Sequence, residues 1–221
     1  MRFRIDLKIF LLIILFYFTK QLELYALIMI FAILHELGHL LAGLLNGMRP
    51  EKLEIKPYGV TILFKLFPKD YNTKIGSGNK LELKKIFIAL AGPITNLLLI
   101  FIFDNIQIEE RIKQLIIYSN ILLIIFNLIP IYPLDGGRII KSILHILYGK
   151  RNSEKYINNI SFVFLIILTF VSSILVYKFE NLAIFLIILI LWIMYLREDS
   201  IYKKRNEIYK LLQKNYWNKL K

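Results

Sequence analysis

The chain has 221 residues, 57% of them hydrophobic, and carries a formal charge of +13; its mean hydropathy is +0.58. This composition belongs to the membrane class and excludes an ordinary water-soluble domain. It has no cysteine, so a disulfide framework and a thiolate metal site are excluded. The basic residues lie between long apolar runs and do not gather on one face, a pattern of membrane topology and not of a nucleic-acid surface.

The first element is "MRFRIDLKIFLLIILFYFTK". A basic start and a short apolar core resemble a signal peptide, but "KQLELYA" follows with no small-x-small cleavage site. It reads as an uncleaved first membrane segment. Ile9 to Thr19 is short for a span, so Asp6 and Lys8 must snorkel or the bilayer must thin. Five clearer apolar segments follow, at about Leu24–Leu45, Ile86–Phe103, Leu115–Leu134, Ile160–Tyr177 and Leu182–Leu196. Between the second and third segments, "RPEKLEIKPYGVTILFKLF" alternates in part with period two around a Pro57–Gly59 turn. It reads as a β-hairpin at the membrane surface, with an amphipathic loop as the alternative. Lys69 to Lys80, "KDYNTKIGSGNK", reads as a flexible loop.

These elements predict an all-α polytopic membrane protein with about six transmembrane helices and a short membrane-associated β-hairpin, forming one domain over residues 1–221. Of the 29 lysines and arginines, 25 fall before Ile9, between Arg49 and Lys85, between Arg138 and Lys155, or after Leu196. By the positive-inside rule both termini lie in the cytosol. The second segment then runs inward, and His39 lies about 15 Å before Arg49 along a continuous helix.

That second segment contains "HELGH", Glu36 between His35 and His39. Residues four apart share a helix face, so the two imidazoles can bind one metal ion, and Glu36 can take a proton from an attacking water. The alternatives are a chance match and a polar patch that glues helices together. Two histidines and a glutamate within five residues exceed what glue requires, and ionisable groups within a membrane default to function.

Catalytic zinc takes three protein ligands and leaves a position open. The remaining histidine, His145, sits in a basic stretch and reads as an interfacial side chain. Asp135 in "FNLIPIYPLDGGRI" is the better third ligand. Pro130 and Pro133 break the helix there, Gly136 and Gly137 loosen the backbone, and irregular backbone at membrane depth must line a cavity or be buried in protein. The alternative is an aspartate that caps or turns at the membrane surface. In "ALAGPITNLLL", Gly92 and Pro93 loosen the third segment, and Asn96 places an amide in an apolar span, as Asn127 does in the fourth. Each amide can serve as interhelical glue or can hold substrate backbone, and the residues alone leave both readings open.

Together, "HELGH", "AGPITN" and "NLIPIYPLDGGR", in this order from about Leu24 to Arg138, resemble the site-2 protease family of intramembrane zinc metalloproteases. The chain is most similar to the stage IV sporulation protein FB branch of that family. The resemblance implies a three-helix catalytic core at about 24–138 and two accessory spans over 160–196. It also implies zinc on His35, His39 and Asp135, Glu36 as general base, and Asn96 and Asn127 near the substrate. The hairpin would pair with an extended substrate strand. The implied partners are a membrane-associated protein such as a pro-sigma factor, a membrane-protein inhibitor and the lipid bilayer, with no direct nucleic acid. The implied place is the bacterial cell membrane. Many members of that branch carry a C-terminal CBS domain; residues 197–221 read instead as a short basic cytosolic tail that lies on anionic lipid, docks a partner or is simply solvated. Two other functions compete: the same chemistry on an anti-sigma factor or remnant signal peptides, and a non-catalytic metal-binding membrane protein or transporter, which has no need of Glu36.

Overall fold

The computed structural model describes residues 2–5, 22–56, 59–65, 75–179 and 182–219. The apolar segment Ile9–Thr19 and the hairpin's turn residue Pro57 lie outside them. The chain divides into two compact units, Met1–Ile129 and Pro130–Lys221.

The first unit holds a small sheet and three helices. Helix α1, Leu22–Leu45, spans 24 residues, about 36 Å at the helical rise and enough to cross a hydrocarbon core. It stops at Gly47, whose φ of +74° disfavours any residue with a Cβ. There Gly47 N–H donates to Leu44 O at 2.9 Å and Met48 N–H to Gly43 O at 2.9 Å, the two bonds of a Schellman stop. The chain passes directly into strand β2, Arg49–Lys56, which pairs antiparallel with β3, Gly59–Lys65, and parallel with β1, Arg2–Ile5. The sheet order is β1-β2-β3. The β2–β3 register shifts between Pro50 and Lys52; proline cannot donate to a ladder, so a bulge beside it is the low-cost solution in a central strand. β1 was not legible as a strand, because the hydrophobic run that follows dominates that end of the sequence.

Helix α2 runs Ile75–Asn105 through Pro93, and α3 runs Glu110–Leu128. α2 begins inside the stretch expected to be a loop. Gly76, Ser77 and Gly78 have poor helix propensity, which hid a helical first turn. The fourth apolar segment also differs from expectation. Its helix ends at Leu128 and not at Leu134, because Ile129 precedes Pro130 and takes extended backbone (φ −57°, ψ 134°).

α1 packs on α2 and α3, and α2 on α3. The α1–α2 contact is a seam of small residues. A Cβ on Gly38 would strike the Thr95 side chain and sit 3.0 Å from Ala91 O. A Cβ on Gly43 would collide with the Phe64 ring of β3. Helices that gain nothing from expelling lipid approach closely in this way.

The second unit is α4, Asp135–Phe179, interrupted at Gly149 (φ 77°), and α5, Leu182–Lys219. α5 is 38 residues long, about 57 Å, so the basic tail is a continuation of the last apolar segment's helix. It docks on its own chain: Arg205 Nη1 lies 2.8 Å from the buried Glu154 carboxylate, and Asn158 donates to Asp199 at 3.0 Å. Nearer the apolar end, Trp192 Nε1–H donates to Thr169 Oγ1 at 3.0 Å.

Among the described residues, four helical stretches are long and apolar enough to cross a membrane: Glu23–Leu45, Asn79–Asn105, Glu110–Leu128 and Asp135–Lys178. Their outward faces carry large exposed apolar residues such as Ile94, Leu98, Phe101 and Phe170, a surface for lipid and not for water.

Candidate metal centre

His35 and His39 are both buried on the α1 face that meets α2. Each ring is held through its Nδ1. His39 Nδ1 is 2.6 Å from Ile88 O, and His35 Nδ1 is 2.9 Å from Asn96 Oδ1. A carbonyl oxygen only accepts, so His39 Nδ1 carries the proton and its Nε2 carries a lone pair. Gly92 N–H also lies 3.3 Å from His39 Nδ1, but a protonated nitrogen cannot accept from it, and the shorter carbonyl contact decides the tautomer. The Asn96 carbonyl places His35 in the same state.

The two Nε2 atoms then converge, 3.2 Å apart. Two nitrogen ligands at about 2.05 Å from a tetrahedral zinc would be separated by about 3.3 Å. The pair is therefore spaced as two ligands of one ion would be. The backbone of α2 comes up directly against the pair: a Cβ on Gly92 would lie 2.5 Å from both Nε2 atoms. The donor set therefore fits zinc. Gly92 was expected only to loosen the helix. It is instead a buried helical residue that stands against both imidazoles, where any side chain would collide with them.

Glu36 follows His35 on α1 and is half-buried, in sequence reach of the same site. Asn96 is fully buried and bonded to His35. Asn127 is not drawn into that network by any described bond. Its Nδ2–H donates to Leu123 O at 3.0 Å, one turn back in α3, the local back-bonding that short polar side chains adopt within helices.

In the second unit, Asp135 is a buried carboxylate in the first turn of α4, where the helix dipole favours negative charge. Arg138 Nη1 stands 3.5 Å from Asp135 Oδ1. The preceding loop is fixed from two sides: Tyr132 N–H donates to Ser161 Oγ at 3.0 Å, and Leu134 N–H to Ile131 O at 2.9 Å. Gly136 and Gly137 were expected to free the backbone, yet both are helical. A Cβ on Gly137 would lie 2.5 Å from the Ile131 carbonyl carbon and Tyr132 nitrogen, so this glycine serves close packing of loop on helix.

Sequence reasoning missed three things: the Ile88 carbonyl, the close approach of Gly92 to both imidazoles and the His35–Asn96 bond. The small-residue run "ALAGP" was the available signal for the second.

Over 88% of this chain and 88% of the other, the fold matches the solved Site-2 Protease from Methanocaldococcus jannaschii, with TM-score 0.64 and 23% sequence identity. The family model for peptidase family M50 matches residues 104–171. Zinc metalloprotease MJ0392 of Methanocaldococcus jannaschii is 32% identical over 144 residues, which is 62% of this chain and 39% of that protein. Stage IV sporulation protein FB of Bacillus subtilis is 24% identical over 128 residues, 56% of this chain and 40% of that one. The chain thus spans about two fifths of the length of these relatives. The matched segment and these relatives make the chain similar to peptidase family M50, and its long apolar helices are those of a multi-pass membrane protein.

Proposed function

We propose that this chain is an intramembrane zinc metalloendopeptidase that cuts a membrane-associated regulatory protein, such as a pro-sigma factor. The carrying observation is the pair of buried imidazoles whose Nδ1 atoms are both engaged and whose Nε2 atoms converge at 3.2 Å. Supporting it is the likeness to zinc metalloproteases, one of them a sporulation protein.

In this reading His35, His39 and Asp135 hold zinc. Bound there, zinc supplies Lewis acidity, which lowers the pKa of a water and polarises the scissile carbonyl. Glu36 takes the proton of the attacking water and delivers it to the leaving amine. Asn96 and Asn127 offer amides to substrate backbone. A membrane helix hides its carbonyls in hydrogen bonds, so the substrate must be extended before it is cut. The edge strand β3 of the β2–β3 hairpin offers it a ladder. About six spans, both termini in the cytosol and residence in the bacterial cell membrane complete the reading, motivated by the distribution of 25 of 29 basic residues.

The test is co-expression of the wild-type chain and its Glu36→Gln variant with candidate pro-sigma factors, read as a shortened product on a gel. Glu36→Gln should keep zinc and lose the product. An unchanged product with Glu36→Gln would reject the protease reading. A set of anti-sigma factors and signal peptides run in parallel assigns the substrate class.

A further inference from the structure

Residues 130–134 lead directly into Asp135, the first residue of α4. Ile131 and Leu134 in this loop are buried. Two holds on the loop come from the start of α4 itself. The Gly137 backbone packs against Ile131 and Tyr132. The Lys141 ammonium stands 4.0 Å from the centre of the Tyr132 ring, a cation–π contact. Both belong to the stretch that begins with Asp135, so they move with the aspartate and do not anchor it elsewhere.

The third hold has a different origin. Tyr132 N–H donates to Ser161 Oγ at 3.0 Å, across 29 positions. Ser161 lies beyond Gly149, whose φ of 77° interrupts α4, and it is 1% exposed. The other hydroxyls past that interruption behave differently. Ser153, Thr169, Ser172 and Ser173 each donate to a carbonyl one turn back in their own helix, the local bond usual for such side chains. Ser161 is instead bonded to the loop. A main-chain N–H in apolar surroundings needs a partner, and here the second stretch of α4 supplies it.

We infer that Ser161 is a positioning residue for the metal centre: its hydroxyl ties the Asp135 loop to the second stretch of α4 and sets the place of the carboxylate before metal binds. The inference rests on Asp135 being a ligand, as proposed above. A ligand must be held within about 0.5 Å of its productive place. Without the hydroxyl, Tyr132 N–H has to find another acceptor, and the chain shifts just ahead of the carboxylate.

The experiment measures zinc affinity of the full chain in detergent by chelator competition, for wild type, Ser161→Ala, Ser153→Ala and Asp135→Ala. Ser153 is also 1% exposed, and its hydroxyl bonds Lys150 O, so Ser153→Ala removes an equally buried group away from the loop. Ser161→Ala should bind zinc about 10-fold more weakly and, with Co2+ in place of zinc, shift the ligand-field bands. Ser153→Ala should change neither. Equal weakening in both serine variants overturns the inference. So does wild-type affinity in Ser161→Ala beside a loss in Asp135→Ala, which leaves the ligand assignment standing. Wild-type affinity in Asp135→Ala removes both. Should Ser161→Ala not survive purification, hydrogen exchange of the wild-type chain decides. The Tyr132 amide should stay protected after zinc is stripped. Exchange as fast as in an unfolded peptide overturns the inference, because the metal and not the hydroxyl would then order the loop.

Discussion

Gly92→Ala is the sharpest probe of the metal centre, because the added atom is a single methyl whose position is fixed by backbone. That methyl would lie 2.5 Å from His35 Nε2, His39 Nε2 and His39 Cε1. Ordinary contact distances are about 3.5 Å, so relief requires the helices to part by about 1 Å or both rings to turn away. A zinc ion at about 2.05 Å from each nitrogen tolerates neither. The expected result is a loss of zinc affinity of at least 100-fold, equivalent to about 2.7 kcal/mol. The assay is metal content after purification, with chelator competition on the detergent-solubilised protein. Gly38→Ala is the control for helix separation alone: its Cβ meets Thr95 and Ala91 O on the same seam, with no histidine nitrogen among its near contacts. It should lower thermal stability more than zinc affinity. A Gly92→Ala protein that holds zinc as tightly as wild type would refute the geometry, since both rings would have had to move from the methyl without loss of their shared ion.

Asp135→Ala should lower zinc content and abolish cleavage while leaving an inserted, detergent-stable protein, as shown by metal analysis beside His35→Ala; full zinc retention would place the third ligand elsewhere. Arg205→Ala strands the buried Glu154 carboxylate and should destabilise the α4–α5 unit by about 1–3 kcal/mol, seen as a lower melting temperature without change in zinc affinity. In this cysteine-free chain, a single cysteine at Ser77 should resist an impermeant external reagent in intact cells; ready labelling would reverse the topology.

Most of the helices were legible because apolar length is a strong signal and the spans have few competing uses. Their ends were less so. The α2 start was hidden by Gly76 and Gly78, whose low propensity a packed helix overrides. The end of α3 was in the sequence, at Pro130, but an apolar stretch continuing to Leu134 extends the hydrophobic signal past the last helical residue. The basic tail reads as a separate segment because hydropathy changes at Arg197. The backbone does not change there: Arg205 and Asp199 find partners on α4, so a polar helix is held by its own chain.

For the site, period and chemistry carry the argument only part of the way. The four-residue spacing of His35 and His39 puts two imidazoles on one face of α1, but each ring has two nitrogens, and spacing does not say which one faces the metal. That choice belongs to whatever bonds the other nitrogen, here a side chain and a backbone carbonyl of α2, 61 and 49 positions away. The carbonyl of Ile88 has no sequence signature at all, since every residue has one. Gly92 was visible but ambiguous. A glycine in a membrane helix can mark a kink, a helix contact or a cavity, and only the approach of α1 separates these. The seam of small residues sets that approach. It brings the α2 backbone near enough to α1 for a main-chain oxygen to reach an imidazole, and in the same step sets Gly92 against both Nε2 atoms.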